Sequence, residues 1–316
     1  MKIDWQFIIS KAWERRSELI EANDSDSLRL FHGYEEGCKG VVIEKFGPMA
    51  VIEFKVDIRD QLPQIADALL EKFPFKLIVS KGHQCLKLKD KDRIFPVIGK
   101  WNEAPEFAHE FGRKYHLTAN TPHSYGLYLD ARPVRRWLSE NSEGRRVLNL
   151  FAFTGSLGVA AASSGATEVV HLDKSRDLVP RIKASYQAND LDFDDRSFLR
   201  GDIYKHLPKA IKSGQRFDGI ILDPPPRVYQ SPYAAHRPNG QDFPALVKMC
   251  SQLLNPGGWL ISLFHRFDVT LAEFEEQVVS ASEQTVAVKQ RFTSDIDFPE
   301  SNPEHKLRVS VFHKQN

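Results

Sequence analysis

Four short segments of the chain carry side chains that suit nucleoside binding and the chemistry beside it. The segment 149–158 is rich in small residues and contains Thr154-Gly155-Ser156. Two further segments contribute single acids, Asp173 and the Asp202 of a Gly-Asp pair, and the fourth is Asp223 followed by three prolines. Small residues let the backbone approach a ligand closely, whereas carboxylates can accept hydrogen bonds from a ribose diol or an adenine amine.

The spacing of these residues bears on which cofactor they fit. The loop lacks the G-x-G-x-x-G spacing that favours a dinucleotide pyrophosphate, and the chain contains no G-x-x-x-x-G-K-[ST] phosphate loop. Asp173 follows Gly155 by 18 residues, a place where an acid suits a ribose. A cofactor with adenosine but no phosphate needs less bare backbone at the helix start. The pattern therefore favours S-adenosylmethionine.

The proline segment suits a rigid site for a methyl acceptor. Prolines fix φ and remove backbone donors, so the loop is stiff and its carbonyls remain acceptors. We expect Asp223, Pro224 and Pro225 to be the catalytic residues, because alignment supplies most of the acceleration in a direct displacement. The alternative is a structural proline turn with Asp223 as a cap.

These segments follow predicted strands of a regular pattern. Apolar runs predict strands at 146–152, 168–173, 198–202, 217–223, 259–264, 285–289 and 307–312, and helices at 156–164, 176–189 and 242–254. Alternating strands and helices predict an α/β fold whose mostly parallel sheet has helices on both faces. Ligands of such sheets bind beyond the carboxyl ends of the strands, where the four segments lie.

The first 95 residues predict a separate, smaller α+β domain. Its expected elements are a helix within 8–22, a hairpin of 41–43 with 50–54, a helix at 61–73 and a strand at 76–80. Residues 96–117 are predicted to be a linking hairpin, and 118–316 the cofactor-binding domain. We expect the N-terminal domain to contribute to substrate recognition.

Composition excludes several classes of protein. With 41% hydrophobic and 27% charged residues the chain is typical of a globular protein. The 43 basic and 42 acidic residues exclude a general polyanion coater, but not a local basic face. No apolar run is long enough to span a membrane and no signal region opens the chain. Three widely spaced cysteines predict neither disulfide nor metal site, so we expect a cytoplasmic protein.

Several motifs resemble a known family. Residues 148–158, 169–173, 201–202 and 222–225 are similar to class I S-adenosylmethionine-dependent methyltransferases. The segment Tyr125–Arg136 resembles the G-F-F-L-D-Q-R-x-N-R-R segment of bacterial large-subunit ribosomal RNA methyltransferases, which include a 5-methylcytosine and a 7-methylguanine branch. Residues 28–54 resemble the domain that precedes catalysis in that group. The resemblance covers roughly residues 8–315 and is strong in the methyltransferase part.

The resemblance implies a Rossmann-like class I methyltransferase domain, S-adenosylmethionine as the cofactor and RNA as the partner. It implies that Asp130 and Arg132 frame the methionine end, although Ala131 stands where the family has Gln. The expected cofactor-binding residues are Asp130, Arg132, Asn149, Phe151, Thr154, Gly155, Asp173, Lys174, Asp202, Ile203 and Asp223.

The residues at two strand ends bear on which atom is methylated. Methylation at C5 of cytosine needs a cysteine thiolate, which the family carries at the end of the fourth or fifth strand. Here those ends read Asp223–Pro226 and Leu263-Phe264-His265-Arg266, without cysteine. Guanine N7 needs no deprotonation and suits a site with neither nucleophile nor base, so we favour it and the 7-methylguanine branch. An exocyclic amine is the other nitrogen target, but Pro226 replaces the aromatic residue typical of such enzymes unless Tyr229 substitutes.

Basic and aromatic residues gather near the predicted strand ends, where they could clamp phosphates and stack on a base. We expect Arg135, Arg227, Tyr229 and His265 to bind the substrate. The wider cluster contains His116, His123, Tyr125, Arg132, Arg136, Tyr233, His236, Arg237 and Arg266. Three alternatives remain open: a methyltransferase of a protein or small molecule, a non-catalytic RNA-binding ribosome-assembly factor, and a nicotinamide dehydrogenase.

Overall fold

The computed structural model describes residues 3–121, 124–225, 243–265, 269–299 and 307–315. The chain forms two compact units, one of Met1–Asp130 with Asp295–Ser301 and one of Ala131–Ser294 with Asn302–Asn316. Within the described ranges, no helix is both long and apolar enough to cross a membrane.

The first unit is built on a mixed sheet with strand order β1-β2-β3-β4-β5. β3 pairs β4 in parallel and the other neighbours pair antiparallel, with Phe46 opposite Met49 around the predicted hairpin turn. Its elements are the helices α1 (Trp5–Glu14), α2 (Ser17–Ala22), α3 (Leu62–Leu70) and α4 (Asp90–Arg93), and the strands β1 (Ser27–Phe31), β2 (Val41–Phe46), β3 (Met49–Phe54), β4 (Leu77–Gly82), β5 (Ile94–Ile98), β6 (Phe107–Glu110) and β7 (Arg113–His116).

The sequence predicts a single helix within residues 8–22, but the structure has two helices there, which corrects the prediction. α1 ends at Glu14 and α2 begins at Ser17, on either side of Arg16. The Arg16 side chain is buried, where its guanidinium donates to the carbonyls of Ala12 and Arg29 and lies 3.0 Å from the Glu36 carboxylate. The two helices meet at this residue, and Glu36 offsets the cost that an unpaired buried charge would have.

The hairpin predicted within 96–117 is formed by β6 and β7. A bridge joins Ser25 to Glu110, and the Asp26 carboxylate accepts a hydrogen bond from the His109 backbone N–H at 3.0 Å. These bonds fasten the hairpin to the segment that leads into β1, so the hairpin belongs to the first unit.

The second unit contains, in its described part, a seven-stranded sheet of order β10-β9-β8-β11-β12-β14-β13. The first five strands pair in parallel, whereas β14 pairs antiparallel with both β12 and β13. Its elements are the helices α5 (Arg132–Asn141), α6 (Ser156–Ala162), α7 (Val179–Ala188), α8 (Ile203–Lys212), α9 (Phe243–Leu253) and α10 (Leu271–Ala281), and the strands β8 (Arg146–Leu150), β9 (Glu168–Asp173), β10 (Phe198–Arg200), β11 (Phe217–Leu222), β12 (Leu254–Phe264), β13 (Val286–Thr293) and β14 (Arg308–Lys314).

Helices cover both faces of this sheet, as predicted. Neighbouring residues of a strand point to opposite faces, and Val147 and Leu148 belong to different cores accordingly. Val147 and Ile221 pack with residues of α5 and α6. Leu148 and Ile220 pack with residues of α8, α9 and α10. The sheet is therefore buried on both sides, and ligands can reach it at the strand ends.

The carboxyl ends of the central strands lie level with one another. Leu150 is paired with Leu172 of β9 and with Leu222 of β11, and Leu222 is paired with Ser262 of β12. Because these strands run parallel, the residues that follow them emerge at one edge of the sheet.

Candidate active site

The loop after β8 is held in a strained conformation. Phe151 and Phe153 have φ of 58° and 47°, in the left-handed region that costs a residue other than glycine about 1–3 kcal/mol. The Phe153 N–H donates to Asp173 Oδ2 at 3.0 Å, and the Gly155 N–H donates to the Ala152 carbonyl at 2.8 Å. Strain that the surroundings enforce in this way is typical of a ligand-binding loop.

Gly155 begins α6 at a position that only glycine fits. Its φ is 79°, and a Cβ placed on it would lie 2.9 Å from Cγ1 of Ile182 on α7. Close packing against α7 and the positive φ thus both require glycine at this position. Thr154 beside it is buried, and Phe151 is partly exposed.

Asp173 ends β9 with a carboxylate fixed by backbone donors. Oδ2 accepts the Phe153 N–H and Oδ1 accepts the Ser175 N–H, both at 3.0 Å. Each carboxylate oxygen can accept a further hydrogen bond, and the residue is partly exposed, so it can bind a ribose diol. Asp173 is not the N-cap of α7, because that helix begins at Val179 with Leu178 as its N-cap.

Asp202 lies in the neighbouring loop and caps a helix. Its Oδ1 accepts the Tyr204 N–H at 3.0 Å at the start of α8. The Gly201 N–H donates to the Asp173 carbonyl at 2.9 Å, which ties the two acidic loops together. The Ile203 side chain is buried in the core, so a contact of Ile203 with a ligand would have to come from its backbone, whereas Lys174 is exposed.

A buried polar relay lies behind this loop. Asn149 Nδ2 donates to His171 Nδ1 at 3.3 Å, and His171 Nε2 lies 2.9 Å from the Tyr186 hydroxyl. Burial lowers the pKa of His171 to about 3, so the ring is neutral and donates from Nε2. The structure thus places the Asn149 amide against His171. A Cβ on Gly158 would lie 2.3 Å from His171 Cε1, so the relay sets the position of α6.

Sequence patterns do not identify His171 and Tyr186 as residues that support this loop. The strand 168–173 was predicted, and its alternation already turns His171 toward the same face as Val169. What the sequence could not show is that a tyrosine from α7 reaches the ring.

A second pair of side chains lies at the ends of β11 and β12. His265 Nε2 is 2.8 Å from Asp223 Oδ1, and the two side chains are 29% and 25% exposed. Pro224 is buried and Pro225 partly exposed. Asp223 therefore shares the edge of the sheet with Asp173, and it holds a histidine that solvent reaches.

Several residues of the expected recognition cluster are buried. Arg132 and Arg135 are buried at 2% and 0% exposure on α5, which argues against Arg135 meeting RNA at the surface, whereas Arg136 is exposed. Tyr125 is buried against Phe46 in the first unit. The sequence predicts Arg132, Arg135 and Tyr125 at the surface, and their burial corrects that prediction.

Asp130 is partly exposed and is the last residue of the first unit before its 295–301 segment. Other expected residues lie outside the described ranges: His123, Pro226, Arg227, Tyr229, Tyr233, His236, Arg237 and Arg266.

The three cysteines are not among the residues that follow the strands of this edge. Cys250 is buried in the core on α9, where burial raises the pKa of its thiol, and Cys38 and Cys85 belong to the first unit. The strand ends that the structure describes therefore carry no thiol. The same ranges contain no group of three or more His, Cys, Asp or Glu side chains placed to hold a metal ion.

Known proteins resemble this chain in sequence and in fold. The family model for S-adenosylmethionine-dependent methyltransferases matches residues 99–313. The ribosomal RNA large subunit methyltransferase I of Cronobacter sakazakii is 29% identical over 277 residues, which are 87% of this chain. The chain spans about two thirds of the length of the curated relatives it matches, 69% of this one and 63% of the next.

Solved structures confirm the fold. A proposed methyltransferase from Streptococcus mutans that depends on S-adenosylmethionine superimposes with a TM-score of 0.84 at 22% identity, covering 99% of this chain and 82% of the other. A crystal structure of a proposed methyltransferase complexed with S-adenosylhomocysteine gives 0.82 at 22% identity, with the same coverage. The Rossmann-like class I methyltransferase sheet, with its additional N-terminal sheet, is therefore confirmed.

Proposed function

The chain belongs to the family of S-adenosylmethionine-dependent methyltransferases, and from this premise we propose that it methylates a base nitrogen of ribosomal RNA. Its cofactor is S-adenosylmethionine, whose sulfonium supplies the methyl group. The observation that supports an RNA substrate is the match to ribosomal RNA large subunit methyltransferases over 87% of the chain. A ribosomal substrate would place the protein in the cytoplasm.

The residues at the ends of β8 and β9 fit this cofactor. In the proposal, the bare backbone at Gly155 receives the methionine part and the Asp173 carboxylate accepts the ribose hydroxyls. Asp202, in the loop beside Asp173, is proposed to accept a hydrogen bond from the adenine amine. Asn149 is proposed to contribute indirectly, because its amide donates a hydrogen bond to His171 beneath the loop.

Two classes of acceptor nitrogen remain once carbon chemistry is set aside. Methylation at C5 of cytosine requires a thiolate, and Cys250 is buried in the core. Guanine N7 carries a lone pair and no proton, and the sequence favours it and the 7-methylguanine branch on the premise that the site holds no base. A nitrogen that carries a proton is the other class.

Recognition of the RNA is proposed to involve both units. The first unit is expected to bind RNA structure around the target, while Asp223 and Pro224 align the target base. Arg227 and Tyr229 remain proposed substrate contacts on sequence grounds.

The test is methylation of ribosomal RNA from a strain that lacks the gene, with purified protein and methyl-labelled S-adenosylmethionine. Label should enter large-subunit RNA, and binding of that RNA should weaken steeply with salt because phosphate contacts release counterions. Asp223→Ala should abolish labelling while calorimetry with S-adenosylhomocysteine shows unchanged binding. Label in protein or small molecules, or none in RNA, would contradict the proposal.

A further inference from the structure

One end of the sheet in the first unit gathers the segments that flank three strands. β2 pairs antiparallel with β3, and β3 pairs in parallel with β4. The turn before β2 and the loops after β3 and β4 therefore emerge side by side, about 5 Å apart from strand to strand. The Lys55 N–H donates to the Gly40 carbonyl at 2.7 Å. The His83 N–H donates to the Phe54 carbonyl at 2.8 Å, so the three segments form one surface.

An exposed aromatic ring lies in the turn before β2. The Tyr34 side chain is 47% exposed, and the Lys39 ammonium lies 5.0 Å from the centre of its ring. Both acids of this turn are paired with arginines: Glu35 with Arg15 and Glu36 with Arg16. The acids of the turn therefore do not neutralise the charge of Lys39 beside the ring.

The loop after β4 adds lysines on an apolar support. Leu86 and Leu88 pack against the core of the first unit. Lys87 and Lys89, which alternate with them, are exposed, and so is Lys55 at the end of β3. From 72 to 89 the chain carries five lysines and no acidic residue, so this part of the surface is basic.

We call Tyr34, Lys39, Lys55, Lys87 and Lys89 the tyrosine–lysine surface. Among the residues that the structure describes, none of its four lysines forms an ion pair with a carboxylate. The acids on either side of Lys55 are engaged elsewhere: Glu53 with Lys81 and Asp57 with Arg59. An acidic protein segment would use the charges but not the ring. A single-stranded nucleic acid would use both, because its phosphates are negative and its bases have faces that stack.

We propose that the tyrosine–lysine surface binds unpaired nucleotides of the RNA substrate, with a base stacked on Tyr34 and backbone phosphates against the lysines. The inference rests on the proposed function, since it assigns the feature of the RNA that the first unit recognises. A base inside a duplex has no free face to offer the ring. An unpaired loop or strand is therefore the class of RNA that fits this surface.

Fluorescence anisotropy of the full chain with a short fluorescent oligoadenylate tests the stacking. Tyr34→Ala should weaken binding about 5- to 150-fold, whereas Tyr34→Phe keeps the ring and should retain the wild-type affinity. Phe7→Ala is the matched control, because Phe7 is an exposed aromatic residue on α1 of the same unit, and it should leave the affinity unchanged. Melting temperatures should be the same in all three variants. A wild-type affinity in Tyr34→Ala would overturn the inference.

The salt dependence of the same binding tests the lysines. Each phosphate contact to a single strand contributes about 0.7 to the slope of log affinity against log salt concentration. The double variant Lys87→Gln with Lys89→Gln should therefore reduce this slope by about 1.4. Lys11→Gln with Lys248→Gln is the control, because both lysines are exposed and each is already paired with a glutamate. Equal slopes in the two double variants would contradict the phosphate contacts.

Competition separates RNA from an acidic protein as the partner. Polyglutamate and a duplex RNA of the same length carry negative charge but no unpaired base. Neither should displace the fluorescent oligoadenylate as well as unlabelled oligoadenylate does. Equal displacement by polyglutamate at the same concentration of charge would show that charge alone determines binding, and would overturn the inference.

Methylation of ribosomal RNA keeps this inference apart from the proposed function. Tyr34→Ala should raise KM for the RNA about 5- to 150-fold with kcat unchanged. Label in RNA together with an unchanged KM in Tyr34→Ala would overturn this inference alone. Binding of oligoadenylate that depends on Tyr34, without any label in RNA, would overturn the proposed function alone.

Discussion

The two halves of the proposed site are built differently, although both lie at one edge of the sheet. At the ends of β8 and β9 the Asp173 carboxylate is fixed by backbone N–H groups of Phe153 and Ser175. At the ends of β11 and β12 two side chains, Asp223 and His265, hold each other. The first is the proposed cofactor half and the second the proposed acceptor half. The first is fixed by backbone donors, whereas the second is held by a contact between two side chains.

The same contrast appears in two histidines of the second unit. His171 is fully buried between Asn149 and Tyr186, and burial keeps it neutral. His265 is partly exposed and faces a carboxylate. Residue type alone therefore does not assign a role, because the surroundings of two histidines in one sheet differ this much.

The largest effect is expected from Gly158→Ala, which tests how rigid the cofactor half is. The added methyl group would lie 2.3 Å from His171 Cε1 and 3.0 Å from Asn149 Nδ2. Overpacking of this kind should lower the free energy of unfolding by roughly 3 kcal/mol, measured by urea denaturation. α6 should also shift, which would weaken binding of S-adenosylhomocysteine.

A double variant supplies the control for that prediction. His171→Ala removes the ring that the new methyl group would strike, so Gly158→Ala combined with His171→Ala should destabilise less than the two separate effects added together. Strictly additive changes in the free energy of unfolding would show that the added methyl group at position 158 does not clash with the His171 ring.

A smaller effect concerns the pH dependence of stability through His171. Its pKa in the folded state, about 3, lies below the usual 6.5. As pH falls below 6.5, His171 binds a proton in the unfolded chain but not in the folded state, so the free energy of unfolding decreases. Between pH 7 and 5 this loss should be about 2 kcal/mol.

His171→Gln cannot take up that proton and is the comparison variant. Urea unfolding at both pH values should show the gap between wild type and His171→Gln narrowing by the same amount toward pH 5. A gap that stays constant with pH would mean that His171 takes up its proton over the same pH range in the folded and the unfolded state.

The positions of the residues proposed for the cofactor half could be predicted from sequence because their signals are local. Asp173 ends a strand that an apolar run reveals, and Gly155 lies in the loop after another. The parallel order of these strands then brings the two residues to one edge without any knowledge of side-chain contacts.

The acceptor half could be predicted only in part, because its contacts join distant residues. His265 was predicted as a substrate contact, but its pairing with Asp223 spans 42 positions and depends on the register of β11 and β12. Burial of Arg135 likewise follows from packing around α5, which composition does not reveal. The break at Arg16 has the same origin, since its partner Glu36 lies beyond β1.

The central claim, that the edge formed by β8 and β9 holds the cofactor, is tested most directly by titration calorimetry with S-adenosylhomocysteine. Wild type should bind one equivalent, and Asp173→Ala should bind more weakly by about 1–3 kcal/mol, because a charged hydrogen-bond acceptor is lost. Asp177→Ala is the control, since it removes an exposed acid four residues later and should leave affinity unchanged. Absence of binding to wild type, or equal affinity in Asp173→Ala, would contradict the account.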